Sequence, residues 1–170
     1  FIGIMMNHAS TPDATLDRIY HNSVDISGTS NGNQPSFCFL RGDMTNTART
    51  ISVDIRNNVF TNTRNGGTGV HYAIANNYNA AGNATGWGAG ASNYNVLNTP
   101  AAGVGYWGGV RTFAQWQSTA SCDAQSLNAI AVNYTNAANN LHMIVGSNPL
   151  IEQVGLALPG VIDDLDSDSR

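Results

Sequence analysis

A pattern of alternating apolar residues returns along this chain at almost constant distance, and few folds accommodate that. Gly3-Ile4-Met5-Met6-Asn7, Ser36-Phe37-Cys38-Phe39-Leu40, Gly69-Val70-His71-Tyr72-Ala73-Ile74 and Gly103-Val104-Gly105-Tyr106-Trp107 share it. Ile4 to Phe37 is 33 residues, Phe37 to Val70 is 33, and Val70 to Val104 is 34. A second large residue follows two positions later in each: Met6, Phe39, Tyr72, Tyr106. A period of two is the signature of a strand, with Met5, Cys38, His71 and Gly105 facing the other way.

A second series is interleaved with the first. His21-Asn22-Ser23-Val24, Arg56-Asn57-Asn58-Val59 and Asn93-Tyr94-Asn95-Val96 each set a valine after a polar corner, at spacings of 35 and 37. Ile51, Val53 and Ile55 alternate cleanly before the second copy. Two series with nearly one period imply several strands per repeat, each repeat being one turn of a solenoid. The fold expected is all-β, a right-handed parallel β-helix with a short capping helix near the C-terminus. Like side chains then stack about 4.8 Å apart. Ile4, Phe37, Val70 and Val104 form one inward ladder, Met6, Phe39, Tyr72 and Tyr106 its neighbour. Asn22 stacks with Asn57 at the corner, and Asn95 aligns with Asn58. A β-sandwich also has short alternating strands, but it does not require one motif to return at fixed spacing.

Composition agrees with many short strands joined by turns. Of 170 residues, 42% are hydrophobic but only 11% charged, and all seven basic residues are Arg. Asn and Gly, which accept the left-handed conformation of tight corners, fill the gap. A net charge of −4 leaves no basic surface for a phosphate backbone, which argues against nucleic-acid binding. No apolar run is long enough to span a membrane. Cys38 and Cys122 are able to pair, but an isolated pair is weak evidence of an oxidising compartment, and two idle buried thiols are the favoured reading.

After Trp107 the pattern changes. Arg111 to Ala120 places Phe113 and Trp116 three apart on one face of a short helix, the candidate lid over the last apolar layer. A last strand is expected over Leu141–Val145, and a turn at Gly146-Ser147-Asn148-Pro149. One domain results, with β-helix coils over 1–110 and a terminal coil with its cap over 111–170. Phe1 to Met6 aligns with the first strand of later coils, so the chain reads as beginning within a coil and offering an open edge.

Tyr106-Trp107-Gly108-Gly109, Thr112-Phe113-Ala114-Gln115-Trp116-Gln117, Asp123-Ala124-Gln125-Ser126, Leu141-His142, Ser147-Asn148-Pro149-Leu150-Ile151 and the acidic end from Asp163 to Asp168 carry a resemblance. Together they resemble the closing segment of bacterial right-handed β-helix repeat proteins of the pectate-lyase-like superfamily. The resemblance covers most of the chain and implies a secreted or cell-surface bacterial protein. The family's acidic end usually has Gly where Ser167 stands and Pro where Ser169 stands.

That superfamily includes pectate lyases and polygalacturonases, whose carboxylates stand on the outer face of one sheet. The outward positions expected here, Met5, Cys38, His71 and Gly105, include no carboxylate. Arg41, Asp43 and His71 are the weak catalytic candidates, against the plainer reading of a solvated rim. Arg41-Gly42-Asp43 also matches an integrin-type tripeptide, which a coil corner explains as well. Asp163, Asp164, Asp166 and Asp168 offer oxygen ligands for calcium, against the plainer reading of an acidic terminus. The four histidines show no metal-ligand spacing, so no other cofactor is indicated. Asn83-Ala84-Thr85 and Asn133-Tyr134-Thr135 match the glycosylation triplet, which an Asn-rich chain produces by chance.

The function expected is therefore non-catalytic: a structural or adhesive segment of a larger extracellular or cell-surface protein. It would be partnered by upstream coils or by neighbouring copies in a filament, and glycan-facing through Trp87 and Trp107. The rival reading is a polysaccharide lyase or glycoside hydrolase with its catalytic coils upstream.

Overall fold

The alternating segments fold into short strands joined by Asn- and Gly-rich corners. The computed structural model describes residues 1–8, 16–45, 49–78, 87–152 and 154–161. In chain order the elements are β1 (Ile2–Met6), β2 (Leu16–Tyr20), β3 (Ser23–Ile26), β4 (Ser36–Arg41), β5 (Ser52–Arg56), β6 (Val59–Asn62) and β7 (His71–Asn76). They continue with β8 (Ser92–Asn93), β9 (Val96–Asn98), β10 (Gly105–Trp107), β11 (Val110–Arg111) and helix α1 (Phe113–Ala120). The last are β12 (Leu127–Asn128), β13 (Tyr134–Asn136) and β14 (Asn140–Met143).

These strands do not make the uniform right-handed parallel β-helix that the repeat predicts. Pairing is mixed, parallel and antiparallel, and is divided among small sheets ordered β1-β4-β7-β10-β11, β12-β9-β6-β3, β2-β5-β8 and β13-β14, with one helix among them. The chain reverses after β10 because Gly108 and Gly109 take φ values of 59° and 145°, which L side chains rarely adopt. Val110 and Arg111 then pair antiparallel with Tyr106 and Gly105. The strand expected at Leu141–Val145 is present over Asn140–Met143 as β14, which forms an antiparallel hairpin with β13 and leaves Ile144 and Val145 outside it.

Within the parallel pairs the repeat does appear as lateral register, but not the register expected. Ile2 pairs with Phe37 and Phe37 with Tyr72, while Ile4 pairs with Phe39 and Phe39 with Ile74. The step is 35 residues from β1 to β4 and from β4 to β7 but 31 from β7 to β10, so the expected Ile4–Phe37–Val70–Val104 ladder is wrong by two positions in its first two rungs and by three in its last. Val70 lies just before β7, where its carbonyl accepts from the Ser36 amide. The expected division into inside and outside also fails. Phe37 and Tyr72 form a second cluster with Leu40 and Ala75, while Cys38 joins Phe39 and Ile74 in the main core. A Cβ on Gly105 would lie 2.7 Å from Trp116 Cε3, so that position faces inward. The physical reason is that all six residues of β4 and all six of β7 are buried. A strand covered on both faces has no solvated side for alternation to mark.

Corners are set by a left-handed residue followed by an asparagine. His21, Asn57 and Tyr94 have φ of 55°, 58° and 57°, and Asn22, Asn58 and Asn95 follow them. The Asn22 amide and Nδ2 both donate to Asn58 Oδ1 at 3.0 Å, and Asn58 Nδ2 donates to Asn95 Oδ1 at 3.0 Å. Asn95 thus aligns with Asn58, whereas Asn22 meets Asn58 rather than Asn57. Asn57 turns outward and clamps the C-terminal segment instead, donating to the Leu156 carbonyl at 2.7 Å and accepting from its amide at 2.9 Å.

Helix α1 lies where the Phe113–Trp116 spacing predicts it. Thr112 caps its N-terminus in a reciprocal box with Gln115. Trp116 is fully buried and Phe113 packs beside it against the main core. Trp116 Nε1 donates to buried Asp123 at 2.8 Å, and Ser92, Asn95 and Ser126 donate to the same carboxylate. That carboxylate therefore ties helix, corner and β8 together.

Candidate functional site

The three catalytic candidates do not assemble. Arg41 is fully buried at the end of β4, donating from Nε to the Ile51 carbonyl at 2.6 Å and from Nη1 to Asn76 Oδ1 at 2.9 Å. Burial brings its guanidinium down to about 10. Asp43 turns into its own loop, accepting from the Thr45 amide and hydroxyl with Arg49 at 3.4 Å. The Thr45 hydroxyl is the main cause that holds this carboxyl below its ordinary 3.8. His71 lies at the opposite end of β7 from Asn76, the partner of Arg41, so about 16 Å of strand separates them. Its Nδ1 is 2.8 Å from Ser36 Oγ, and Asn62 Nδ2 donates to that hydroxyl at 3.0 Å. Ser36 is fully buried, so this trio ties strand ends together rather than presenting a nucleophile.

Other expectations change with burial. The tripeptide Arg41-Gly42-Asp43 is not displayed, because Arg41 is inside. Trp87 and Trp107 are not exposed platforms: both are buried, with ring centroids 5.5 Å apart, and both pack on Trp116. Cys38 and Cys122 are free and buried. Asp163, Asp164, Asp166 and Asp168 lie outside the described residues, as does the triplet from Asn83 to Thr85. Among the described residues no group of three or more His, Cys, Asp or Glu is placed to hold a metal ion. No described helix is long and apolar enough to cross a membrane.

The structure does bring together one end of three sheets. β1, β2 and β3 pair with β4, β5 and β6, and each is the terminal strand of its sheet. Their outer edges carry no strand among the described residues, so backbone N–H and C=O groups face outward. Ile4, Met6, Val24 and Ile26 on these strands are only partly buried while packing on the main core. Phe1 and Met5 are exposed. The Phe1 amine donates to the Pro35 carbonyl at 3.0 Å, and burial, aided by Arg64, lowers it from its ordinary value.

A charged row flanks this end on the outer face of β2 and β5. Asp54 accepts from Tyr20 Oη at 2.5 Å and from Arg56 Nε at 2.6 Å, and Arg18 is the lateral neighbour of Asp54. Burial, with the bond to Asp54, raises the Tyr20 phenol above its ordinary 10.0. A cleft of about 610 Å³ separates this row from Leu158, Pro159 and Val161. Sequence reasoning missed it by confining the search to the first sheet. The available signal was a 36-residue step relating Arg18 to Asp54 and Tyr20 to Arg56.

No family model, curated protein or solved structure matches this chain.

Proposed function

We propose that this chain is a non-catalytic structural segment of a larger extracellular or cell-surface protein, joined to the rest through the β1–β2–β3 end. The observation that supports this reading is the coincidence of three terminal strands at one end, with half-buried apolar side chains on β1 and β3 and exposed Leu16 on β2. Further parallel strands, from the same polypeptide or a neighbouring copy, would satisfy those edges and complete the layer over Ile4, Met6, Val24 and Ile26. The opposite end is better covered, since β11 occupies the far edge of β10 and α1 packs Trp116 beneath it. The dispersal of Arg41, Asp43 and His71 supports a role without chemistry on the first sheet.

Sedimentation velocity of the 170-residue chain tests this. The chain should self-associate with rising concentration, and Ile4→Lys with Ile26→Lys should leave it monomeric with unchanged far-ultraviolet circular dichroism. A wild-type chain that stays monomeric, with β1 amides protected from hydrogen exchange, would overturn the reading. Incubation with polygalacturonate or alginate and calcium should give no turnover, whereas turnover abolished by Asp43→Ala would assign an enzyme instead.

A further inference from the structure

The corner hydrogen bonds have a direction. Asn22 gives both its amide and its Nδ2 to Asn58 Oδ1, each at 3.0 Å. Asn58 repeats this toward Asn95 Oδ1, from its amide at 2.9 Å and from its Nδ2 at 3.0 Å. The earlier residue supplies two N–H groups, and the later one a single carbonyl oxygen. One backbone bond returns at each step, from the Val59 amide to the Asn22 carbonyl and from the Val96 amide to the Asn58 carbonyl, both at 2.8 Å. A side-chain amide suits this relay because it carries an acceptor and two donors in one plane.

The two ends of the relay differ. Downstream it closes: the Asn95 amide donates to Ser126 Oγ at 2.8 Å, and its Nδ2 to Asp123 Oδ1 at 3.1 Å. Ser126 in turn gives its amide to the Asp123 carbonyl at 3.1 Å and its hydroxyl to Asp123 Oδ1 at 2.6 Å. Upstream it stays open. Asn22 Nδ2 is used by the Tyr20 carbonyl and by Asn58, but Asn22 Oδ1 accepts no hydrogen bond among the described residues. Ser23 lies beside Val59, and Val59 beside Val96, in the register of the terminal strand β3. The Val59 and Val96 amides point to the earlier coil, so the Ser23 amide at the equivalent position points away from β6, to the open side. The open corner therefore presents one oxygen that lacks two donors and one N–H that lacks an acceptor.

Given that the β1–β2–β3 end is a joint, as proposed above, we infer that its occupant is a strand–corner–strand segment with asparagine at the corner. The segment lies parallel to β2 and β3. Its corner amide and Nδ2 donate to Asn22 Oδ1, and its corner carbonyl accepts from the Ser23 amide. A glycine or alanine corner brings only the backbone N–H, and an aspartate sets a second acceptor against Asn22 Oδ1. A second copy stacked by its Ser126 end does not fit, because that corner has already given its amide and its hydroxyl to Asp123. Such a contact would strip water from Asn22 Oδ1 without replacing it.

The probes are a synthetic peptide of residues 51–62, which carries the corner asparagine Asn58 between its two strand segments, and the same peptide with Asn58→Ala. Each is titrated into the full chain while amide resonances are followed by NMR. The unchanged peptide should shift the Asn22 side-chain and Ser23 backbone amides saturably, and the Asn58→Ala peptide should bind about tenfold more weakly. In a chain carrying Asn22→Ala that preference should fall to about twofold or less. The comparison of the two peptides on the unaltered chain stands by itself if Asn22→Ala disturbs the fold. Equal binding of the two peptides to the unaltered chain overturns the asparagine corner while leaving the joint in place. No saturable shift with either peptide also overturns it, and self-association of the chain then assigns that end to a second copy. An undiminished preference in a folded Asn22→Ala chain overturns it as well.

Discussion

Truncating the middle rung of the corner ladder, Asn58→Ala, should cost far more than truncating the end rung, Asn22→Ala. The Asn58 side chain is almost wholly buried and accepts from the Asn22 amide while donating to the Ile19 carbonyl at 2.9 Å and to Asn95 Oδ1. Removing it leaves those three groups short of a partner where water has no access. At about 1–1.5 kcal/mol for each buried bond lost, the substitution should destabilise by about 3–4 kcal/mol. Asn22 is only half-buried, and its Nδ2 donates to the Tyr20 carbonyl and to Asn58 Oδ1. Water is able to replace it, so Asn22→Ala should cost about 1 kcal/mol. Urea unfolding followed by circular dichroism resolves this difference, provided that the slope m stays constant across variants. Equal losses for the two variants, or a loss below about 1 kcal/mol for Asn58→Ala, would refute the view that the ladder bears load at its centre.

Three further outcomes follow from particular positions. Gly105→Ala should destabilise by about 1–3 kcal/mol, because the new methyl meets the Trp116 ring at 2.7 Å and the Ile74 carbonyl at 2.9 Å; an unchanged melting temperature contradicts the packing. Burial, chiefly, lowers His71 below its ordinary 6.5, so the unfolded chain takes up this proton first. Stability from this group is complete above pH 6.5 and declines as pH falls through 6.5 toward the folded value, and His71→Gln should flatten that decline in urea midpoints measured across the window. Cys38 is fully buried and burial, chiefly, raises its thiol, so it should resist an aromatic disulfide reagent until denaturant is added; rapid labelling of the native chain would contradict this.

Strand positions were legible because alternation marks them, and α1 because Phe113 and Trp116 fall one turn apart. Register was not. Matching Phe37 to Val70 rests on similar size, whereas the backbone pairs Phe37 with Tyr72, two residues on. In strands buried on both faces no solvated side marks the alternation, so composition cannot tell a step of 33 from one of 35. Corner asparagines pose a related ambiguity. Asn57 and Asn58 are the same residue type with opposite duties, one taking the left-handed turn and the other the ladder. The burial of Trp87 and Trp107 is not legible either, because a lone aromatic in a polar stretch carries no sign of it.

All three tryptophans of the chain stand in one contact cluster, with centroid separations of 5.5, 5.6 and 5.9 Å. Intrinsic fluorescence is therefore a local gauge, reading the neighbourhood of α1 and β10 and nothing of β1, β2 or β3. If the first strands loosen before the rest, a fluorescence melt will miss the event while circular dichroism records it. Non-coincident curves from the two probes would then mark a staged unfolding rather than an instrumental fault.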